Sequence, residues 1–171
     1  HMLPARVTLP RIPSALPPVV LIHGAANSAG VWTYWQHELA AIGWASYAVD
    51  LRGHAPNAPQ DLSRTRMSDY ADDVIRFVEQ LQQTPVLMGW SMGGLVAMMA
   101  ADQAAATAVV GLAPSTPAAT EDQAQIPREG TYGADYYGIT STDPDTPQPA
   151  MPDLDRDERA IALGSLREES V

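Results

Sequence analysis

Cysteine is absent from the 171 residues of this chain. Disulfide bonds, thiolate catalysis and zinc sites with cysteine ligands are therefore excluded from it. Basic residues are scarce: 10 arginines and lysines stand against 20 acidic residues, for a net charge of -10. Such a charge disfavours nucleic acid and anionic membrane surfaces as partners. No apolar run approaches the length needed to span a bilayer.

The N-terminus also lacks the basic and then apolar pattern of a signal peptide. We therefore expect a cytoplasmic protein, and we interpret His1 and Met2 as a cloning scar. A hydrophobic content of 46% over this length indicates one globular domain with a core of its own.

The chain is organised around the pentapeptide Gly89-Trp90-Ser91-Met92-Gly93. A short apolar strand precedes it, and an apolar helix rich in small residues follows it as far as Ala101. In this context of strand, turn and helix, the G-x-S-x-G pattern predicts a nucleophile elbow. The serine backbone must be strained to lift its hydroxyl out of the turn. Glycines two residues before and after the serine are needed because larger side chains would collide there.

Apolar strand-like runs alternate with helical patterns along the chain. Strands are predicted at 19–22, 46–51, 85–88 and 108–112, and residues 3–18 are expected to form an extended lead-in or edge strand around 7–9. A first helix is expected to bury Trp32, Trp35, Leu39 and Ile42, and a second is expected to begin at an N-cap, Ser68. This alternation predicts an α/β fold with a mostly parallel sheet.

The motif residues follow the carboxyl ends of these predicted strands. His23 and Gly24 follow the first run, residues 50–54 the second, and Ser91 the third. Carboxyl ends of parallel strands line one edge of the sheet, where ligands bind, so we expect these residues to lie together. After Ser115 the sequence becomes rich in Pro, Thr, Asp and Gly, and residues 155–169 are expected to form one amphipathic helix.

Four motifs together carry a family resemblance: LIHGAA at 21–26, VDLRGH at 49–54, GWSMGG at 89–94 and LAPS at 112–115. In their order and spacing, the chain resembles the α/β-hydrolase superfamily, in its esterase, lipase and haloperoxidase-like branch. The resemblance implies that Ser91 is the nucleophile and that the backbone N–H groups of Ala25 and Met92 form the oxyanion hole. It implies no organic cofactor, and a metal site is not expected because no ligand spacing such as H-E-x-x-H occurs.

The resemblance covers only the N-terminal part of such a fold. A serine nucleophile needs a histidine base and an orienting carboxylate, which in this fold follow the serine in the chain. All histidines here, at positions 1, 23, 37 and 54, precede Ser91. We therefore expect a lead-in at 1–18, the N-terminal part of the core at 19–115, and an incomplete lid or cap at 116–171. The expected partner is a C-terminal fragment of the same precursor that supplies Asp and His, since the chain stops within a helical pattern.

The remaining polar and aromatic residues have competing interpretations. Trp90, His23, Tyr136 and Tyr137 are predicted to shape a substrate pocket, although His23 and the two tyrosines also fit a purely structural role. The resemblance implies that residues 50–54 are structural, with Asp50 and Arg52 paired, and therefore that His54 is a structural residue rather than a base. The predicted function is a serine hydrolase acting on a carboxylic ester or related acyl compound. Thioesterase, lactonase, acyltransferase and C–C hydrolase activities, or a catalytically silent binding module, stay open.

Overall fold

The computed structural model describes residues 2–56, 61–117 and 131–170. Four parts of the sequence discussed above lie outside the described residues: His1, residues 57–60 of the loop after the second strand, residues 118–130, and Val171.

The core is a five-stranded sheet with helices on both faces. Its strands are β1 (Ala5–Thr8), β2 (Val19–Ile22), β3 (Ser46–Val49), β4 (Val86–Trp90) and β5 (Ala108–Leu112), in the spatial order β1-β3-β2-β4-β5. Strands β2 to β5 run parallel, and β1 pairs antiparallel with β3 at the edge. The predicted α/β class with a mostly parallel sheet is confirmed. The lead-in strand forms at 5–8 instead of 7–9.

The helices are α1 (Thr33–Ala41), α2 (Met67–Val78), α3 (Met92–Ala100) and α4 (Arg156–Gly164). A 3-10 turn at Ala29–Trp32 leads into α1, and another spans Ala134–Tyr137. Outside the main sheet, β6 (Thr131–Tyr132) and β7 (Glu169–Ser170) form a two-stranded antiparallel ribbon.

Strand β2 is buried on both faces, as its continuous apolar run predicts. Val20 and Ile22 pack toward α2 and α3, whereas Val19 and Leu21 pack with Trp32 on the opposite face. The path from β2 out to β3 and back to β4 places a reversal of strand order between β2 and β4. Ligands of open parallel sheets bind at such a point.

The burial predicted for the first helix is wrong for part of its face. Trp32 is buried, but Trp35 is 45% exposed and Ile42 is 69% exposed. The reason is that Trp32 belongs to the preceding 3-10 turn, which shifts the phase of the helix. The buried residue of α1 is Gln36, whose side-chain amide donates to the carbonyl oxygen of Arg6 at 2.9 Å.

Two other helix boundaries differ from expectation. Helix α2 begins one residue before Ser68, which is exposed inside it, and the carboxylate of Asp69 accepts a hydrogen bond from the Arg66 N–H at 2.7 Å. Helix α4 begins after its N-cap, Asp155, as expected but ends at Gly164. Residues 165–170 leave the helix because their polar groups bond to the core, as described below. The interpretation that the chain stops within a helix is therefore wrong.

Candidate active site

Ser91 lies in the tight turn between β4 and α3. Its backbone has φ 54 and ψ -123, so it is one of the few non-glycine residues with positive φ. Strand β5 supports the turn, because the Ser91 N–H donates to the Leu112 carbonyl at 3.0 Å and the Ser115 N–H donates to the Ser91 carbonyl at 2.9 Å. The conformation places a serine where a turn normally takes glycine.

The two glycines of the pentapeptide are required by close backbone approach. A Cβ atom on Gly89 would lie 2.0 Å from the carbonyl oxygen of Gly93, and a Cβ on Gly93 would lie 2.2 Å from the carbonyl oxygen of Ile22. Backbone atoms cannot yield to such contacts as a flexible side chain can. The spacing of the motif therefore reflects how tightly α3 packs against β2 and β4.

The backbone N–H groups of Ala25 and Met92 belong to two different elements near the serine: Ala25 lines the same cavity as Ser91, and Met92 follows Ser91 in the chain. Met92 begins α3 directly after Ser91, and Ala25 lies in the loop that follows β2, the strand paired with β4. Neither N–H donates a hydrogen bond to any acceptor within residues 2–56, 61–117 and 131–170. Two amides without a partner beside a serine can hold a negatively charged oxygen.

Ser91 opens onto a cavity of about 370 Å³. Residues from the loop after β2 and from the serine turn line it together with five residues from the region between 137 and 166. Its lining is mostly apolar and consists of Ala25, Asn27, Trp90, Ser91, Tyr137, Ile139, Ala150, Met151 and Leu166. Residues of the region predicted as a lid thus line the same cavity as the serine, and the apolar lining suits an apolar ligand group.

A second cavity, of about 360 Å³, lies against Trp90 and is lined by Val31, Trp32, Trp35, Trp90 and Leu112. The indole Nε1 of Trp32 is buried and has no hydrogen-bond partner in the described part of the chain. Absence of a side chain at Gly24 leaves room for Trp90, because a Cβ there would lie 3.0 Å from its Cε3.

The predicted pocket residues separate into two groups. Trp90 and Tyr137 line the cavity at Ser91, whereas Tyr136 lines a neighbouring cavity with Tyr132. His23 does not reach either cavity, because its ring is fully buried behind the loop. The prediction that His23 and Tyr136 shape the pocket at Ser91 therefore does not fit the structure.

His23 is a neutral structural residue. Its Nδ1 lies 2.8 Å from the carbonyl oxygen of Gly24, which can only accept, while its Nε2 accepts from the Leu51 N–H at 3.1 Å. The proton is therefore on Nδ1. Burial, followed by the nearby charge of His54, lowers the pKa of His23 to about 3. The ring joins the loop after β2 to the segment after β3.

His54, unlike His23, has a hydrogen-bond acceptor beside each of its ring nitrogens. Its Nδ1 lies 2.8 Å from the carbonyl oxygen of Arg52, and its Nε2 lies 2.7 Å from a carboxylate oxygen of Glu169. Both neighbours are acceptors, so both ring nitrogens must carry protons. Burial acts to lower the pKa of His54, but the hydrogen bond and charge of Glu169 outweigh it and raise the pKa.

Glu169 is a buried residue that the sequence reasoning missed. Beyond His54, its carboxylate accepts from the Tyr70 hydroxyl at 3.0 Å, and burial followed by the charge of Glu169 raises the pKa of Tyr70. These partners are 99 and 115 residues away in the chain. No local pattern pointed to it, because it stands among other charges near the C-terminal end.

Asp50 and Arg52 do not pair with each other, contrary to expectation. The Asp50 carboxylate accepts from the Ala29 N–H at 2.7 Å, and Arg52 makes two hydrogen bonds, of 2.6 and 2.8 Å, to the buried carboxylate of Asp73 in α2. Arg76 contacts the same carboxylate. Asp50 therefore holds the loop that follows β2, and Arg52 attaches the segment that follows β3 to helix α2.

No described side chain bonds to the hydroxyl of Ser91. Within the described residues, no three His, Asp or Glu side chains form a metal-binding group. The described helices are also too short or too polar to cross a bilayer. The described part of the chain thus presents a strained serine with no side chain bonded to its hydroxyl, together with two backbone amides that donate to no described acceptor.

A family model described as "Alpha/beta hydrolase family" matches residues 19–168. The chain is 33% identical over 76 residues to a pyrethroid hydrolase of Sphingobium wenxiniae, covering 44% of this chain and 27% of that protein. It is 33% identical over 84 residues to a pimeloyl-[acyl-carrier protein] methyl ester esterase of Nitrosospira multiformis, covering 48% of this chain and 32% of that protein.

Among solved structures, a monoacylglycerol lipase of Paleococcus ferrophilus matches with a TM-score of 0.60 and 25% identity, covering 75% of this chain and 48% of that one. The chain therefore spans about a third of the length of the curated relatives that it matches, and about half of the lipase.

Proposed function

Because this chain belongs to the α/β-hydrolase family, we propose that it is the nucleophile-bearing part of a serine hydrolase that cleaves a carboxylic ester or a related acyl compound. One observation carries the proposal: Ser91 is held at positive φ and lines an apolar cavity together with Ala25, while the N–H groups of Ala25 and Met92 bond to no described group.

In the proposed reaction, the Ser91 oxygen attacks the acyl carbonyl carbon while a histidine base takes the hydroxyl proton. The carbonyl oxygen becomes an oxyanion and accepts hydrogen bonds from the N–H groups of Ala25 and Met92. Such donors are typically worth about 2.7 to 4 kcal/mol each. Collapse of the intermediate expels the alcohol, which receives the proton from the histidine and leaves an acyl-enzyme. Water then attacks the acyl group, with the same base, and releases the carboxylic acid.

We further propose that the base and its orienting carboxylate come from a C-terminal fragment of the same precursor. No histidine follows Ser91 in these residues, and the chain covers only 27% and 32% of its curated relatives. Two surfaces support a partner. Strand β5 pairs with β4 alone in the described part of the chain, and α3 is apolar throughout yet leaves Met98 and Met99 exposed.

The test is a fluorophosphonate probe applied to the complete protein, combined with native mass measurement. We expect one equivalent of probe on Ser91, no labelling of S91A, and a second polypeptide or segment that carries histidine. Separation of the 18.3 kDa chain from that partner should abolish labelling. Labelling of the isolated chain would refute the external base, and a complete protein that never labels would refute the hydrolase proposal.

A second function is favoured by one observation, the absence of any described partner for the Ser91 hydroxyl. A catalytically silent member of the fold would use the apolar cavity to bind a ligand. In that case the complete protein would resist the fluorophosphonate yet bind apolar esters without turnover. If the protein does turn over, thioesters, lactones and C–C substrates should be compared with esters, because the same nucleophile serves all of them.

A further inference from the structure

Residues 165–169, here called the latch segment, meet residues 25–28, here called the oxyanion loop. Ala26 is held on both of its backbone polar groups: its carbonyl accepts from the Arg167 N–H at 2.8 Å, and its N–H donates to a carboxylate oxygen of Glu169 at 3.4 Å. At the other end of the loop, the Ser28 hydroxyl donates to the Ser165 carbonyl at 2.8 Å.

The oxyanion loop needs such support because its backbone is unfavourable. Ala26 has φ 55, a conformation that costs energy for any residue with a Cβ and persists only where neighbours impose it. Ala25, the proposed oxyanion donor, directly precedes it. The direction of the Ala25 N–H therefore depends on bonds made by residues more than 130 positions later in the chain.

The Glu169 carboxylate is the anchor of this contact. It is 3% exposed and accepts from His54 at 2.7 Å and from the Tyr70 hydroxyl at 3.0 Å, in addition to Ala26. These donors belong to the segment after β3, to α2 and to the oxyanion loop. The position of the carboxylate is fixed in two ways. The side chain bonds to Tyr70 and His54, and the backbone of Glu169 pairs with Tyr132 in the ribbon of β6 and β7.

The pair is also balanced in charge. Because both nitrogens of His54 face acceptors, the ring is a cation beside the Glu169 anion. An unbalanced carboxylate next to the oxyanion loop would oppose the developing negative charge on the substrate. The balanced pair holds the loop without that penalty.

From these contacts we infer that Glu169 is a positioning residue for the oxyanion hole, acting through Ala26 and supported by His54 and Tyr70. The inference rests on the proposed function. It extends that function by making the latch segment a determinant of how well the hole is formed.

The test uses the complete protein and a p-nitrophenyl ester, with E169Q as the main variant and E168Q as its matched control. Glu168 is exposed, so E168Q makes the same chemical change one residue away. We expect E169Q to lower kcat by about 10- to 100-fold with KM nearly unchanged, since loss of a whole oxyanion donor typically costs about 100- to 1000-fold. Binding of a boronic acid, which forms a tetrahedral adduct, should weaken in parallel. E168Q should match the wild type.

Y70F keeps the test decisive if E169Q fails to fold, because it removes one donor to Glu169 and leaves the ring. We expect Y70F to lower kcat several-fold without raising KM. A folded E169Q, or a folded Y70F if E169Q does not fold, with wild-type kcat and boronic acid affinity would overturn the inference while leaving the hydrolase proposal intact. A wild-type protein that neither turns over the ester nor reacts with fluorophosphonate would overturn both.

Discussion

Replacing Ser91 by glycine should stabilise the protein while abolishing its proposed chemistry. The serine holds φ 54 and ψ -123, close to the first central position of a type II′ turn, where glycine dominates. A non-glycine residue in such a conformation costs about 1–3 kcal/mol. Glycine avoids that cost but loses about 0.5–1 kcal/mol through the greater freedom of its unfolded chain. We therefore expect S91G to be about 1 kcal/mol more stable than S91A.

S91A is the matched reference, because it also lacks the hydroxyl but keeps the Cβ that makes the turn costly. Since no described group bonds to that hydroxyl, S91A should lie within about 0.5 kcal/mol of the wild type. Equilibrium urea unfolding of the complete protein, followed by tryptophan fluorescence, measures both differences. An S91G variant no more stable than S91A would show that the turn stores no strain, and the physical basis given for the elbow would be wrong.

Three further expectations follow from contacts away from the nucleophile. G93A should destabilise the protein by about 3 kcal/mol or prevent folding, because its Cβ would lie 2.2 and 2.3 Å from two carbonyl oxygens. G164A is the control: its Cβ would meet nothing within 4 Å, so the variant should be neutral or slightly more stable. As pH falls from 6.5 to 5, an unfolded His23 takes up a proton that the folded protein, with a pKa of about 3, excludes. The free energy of unfolding should therefore decrease with falling pH, with a slope that approaches about 1.4 kcal/mol per pH unit near pH 5. H23N should remove that slope in urea titrations at each pH, and an unchanged slope would refute the assignment. D73A should cost about 2–4 kcal/mol because it leaves the guanidinium of a partly buried arginine unpaired, while D72A on the exposed face should cost under about 0.5 kcal/mol; equal midpoints for the two would contradict this view of the ion pair.

The parts of the fold that depend on local sequence were predictable. Strand β2 forms where a continuous apolar run indicates it, because a parallel strand buried on both faces must be apolar throughout. Strand β5 also forms at its predicted residues, although they are exposed or half-buried. The glycine at 89 was equally predictable, since its Cβ would clash with Gly93 within the same turn, whereas the clash at Gly93 is with the carbonyl oxygens of Ile22 and His23. The expected helix over 155–169 failed because bonds to the oxyanion loop compete with the last helical turns.

The partners of buried charges were not predictable. Asp50 and Arg52 are close in sequence and opposite in charge, yet each bonds to a group 21 residues away. Glu169 is separated by 143 residues from Ala26, and nothing local distinguishes it from an exposed acid. Such choices depend on which segments the sheet order brings together, and residue patterns along the chain do not encode that order directly.

Trp90 lines both the cavity at Ser91 and the apolar cavity beside it. Tryptophan fluorescence can therefore report a ligand in either cavity. A molecule entering the first cavity contacts only one of the four tryptophans, whereas one entering the second also contacts Trp32 and Trp35. The emission of the wild type and of W90F therefore distinguishes the two sites. A ligand that alters the emission of both the wild type and W90F occupies the second cavity. A ligand that alters the emission of the wild type but not that of W90F occupies the cavity at Ser91.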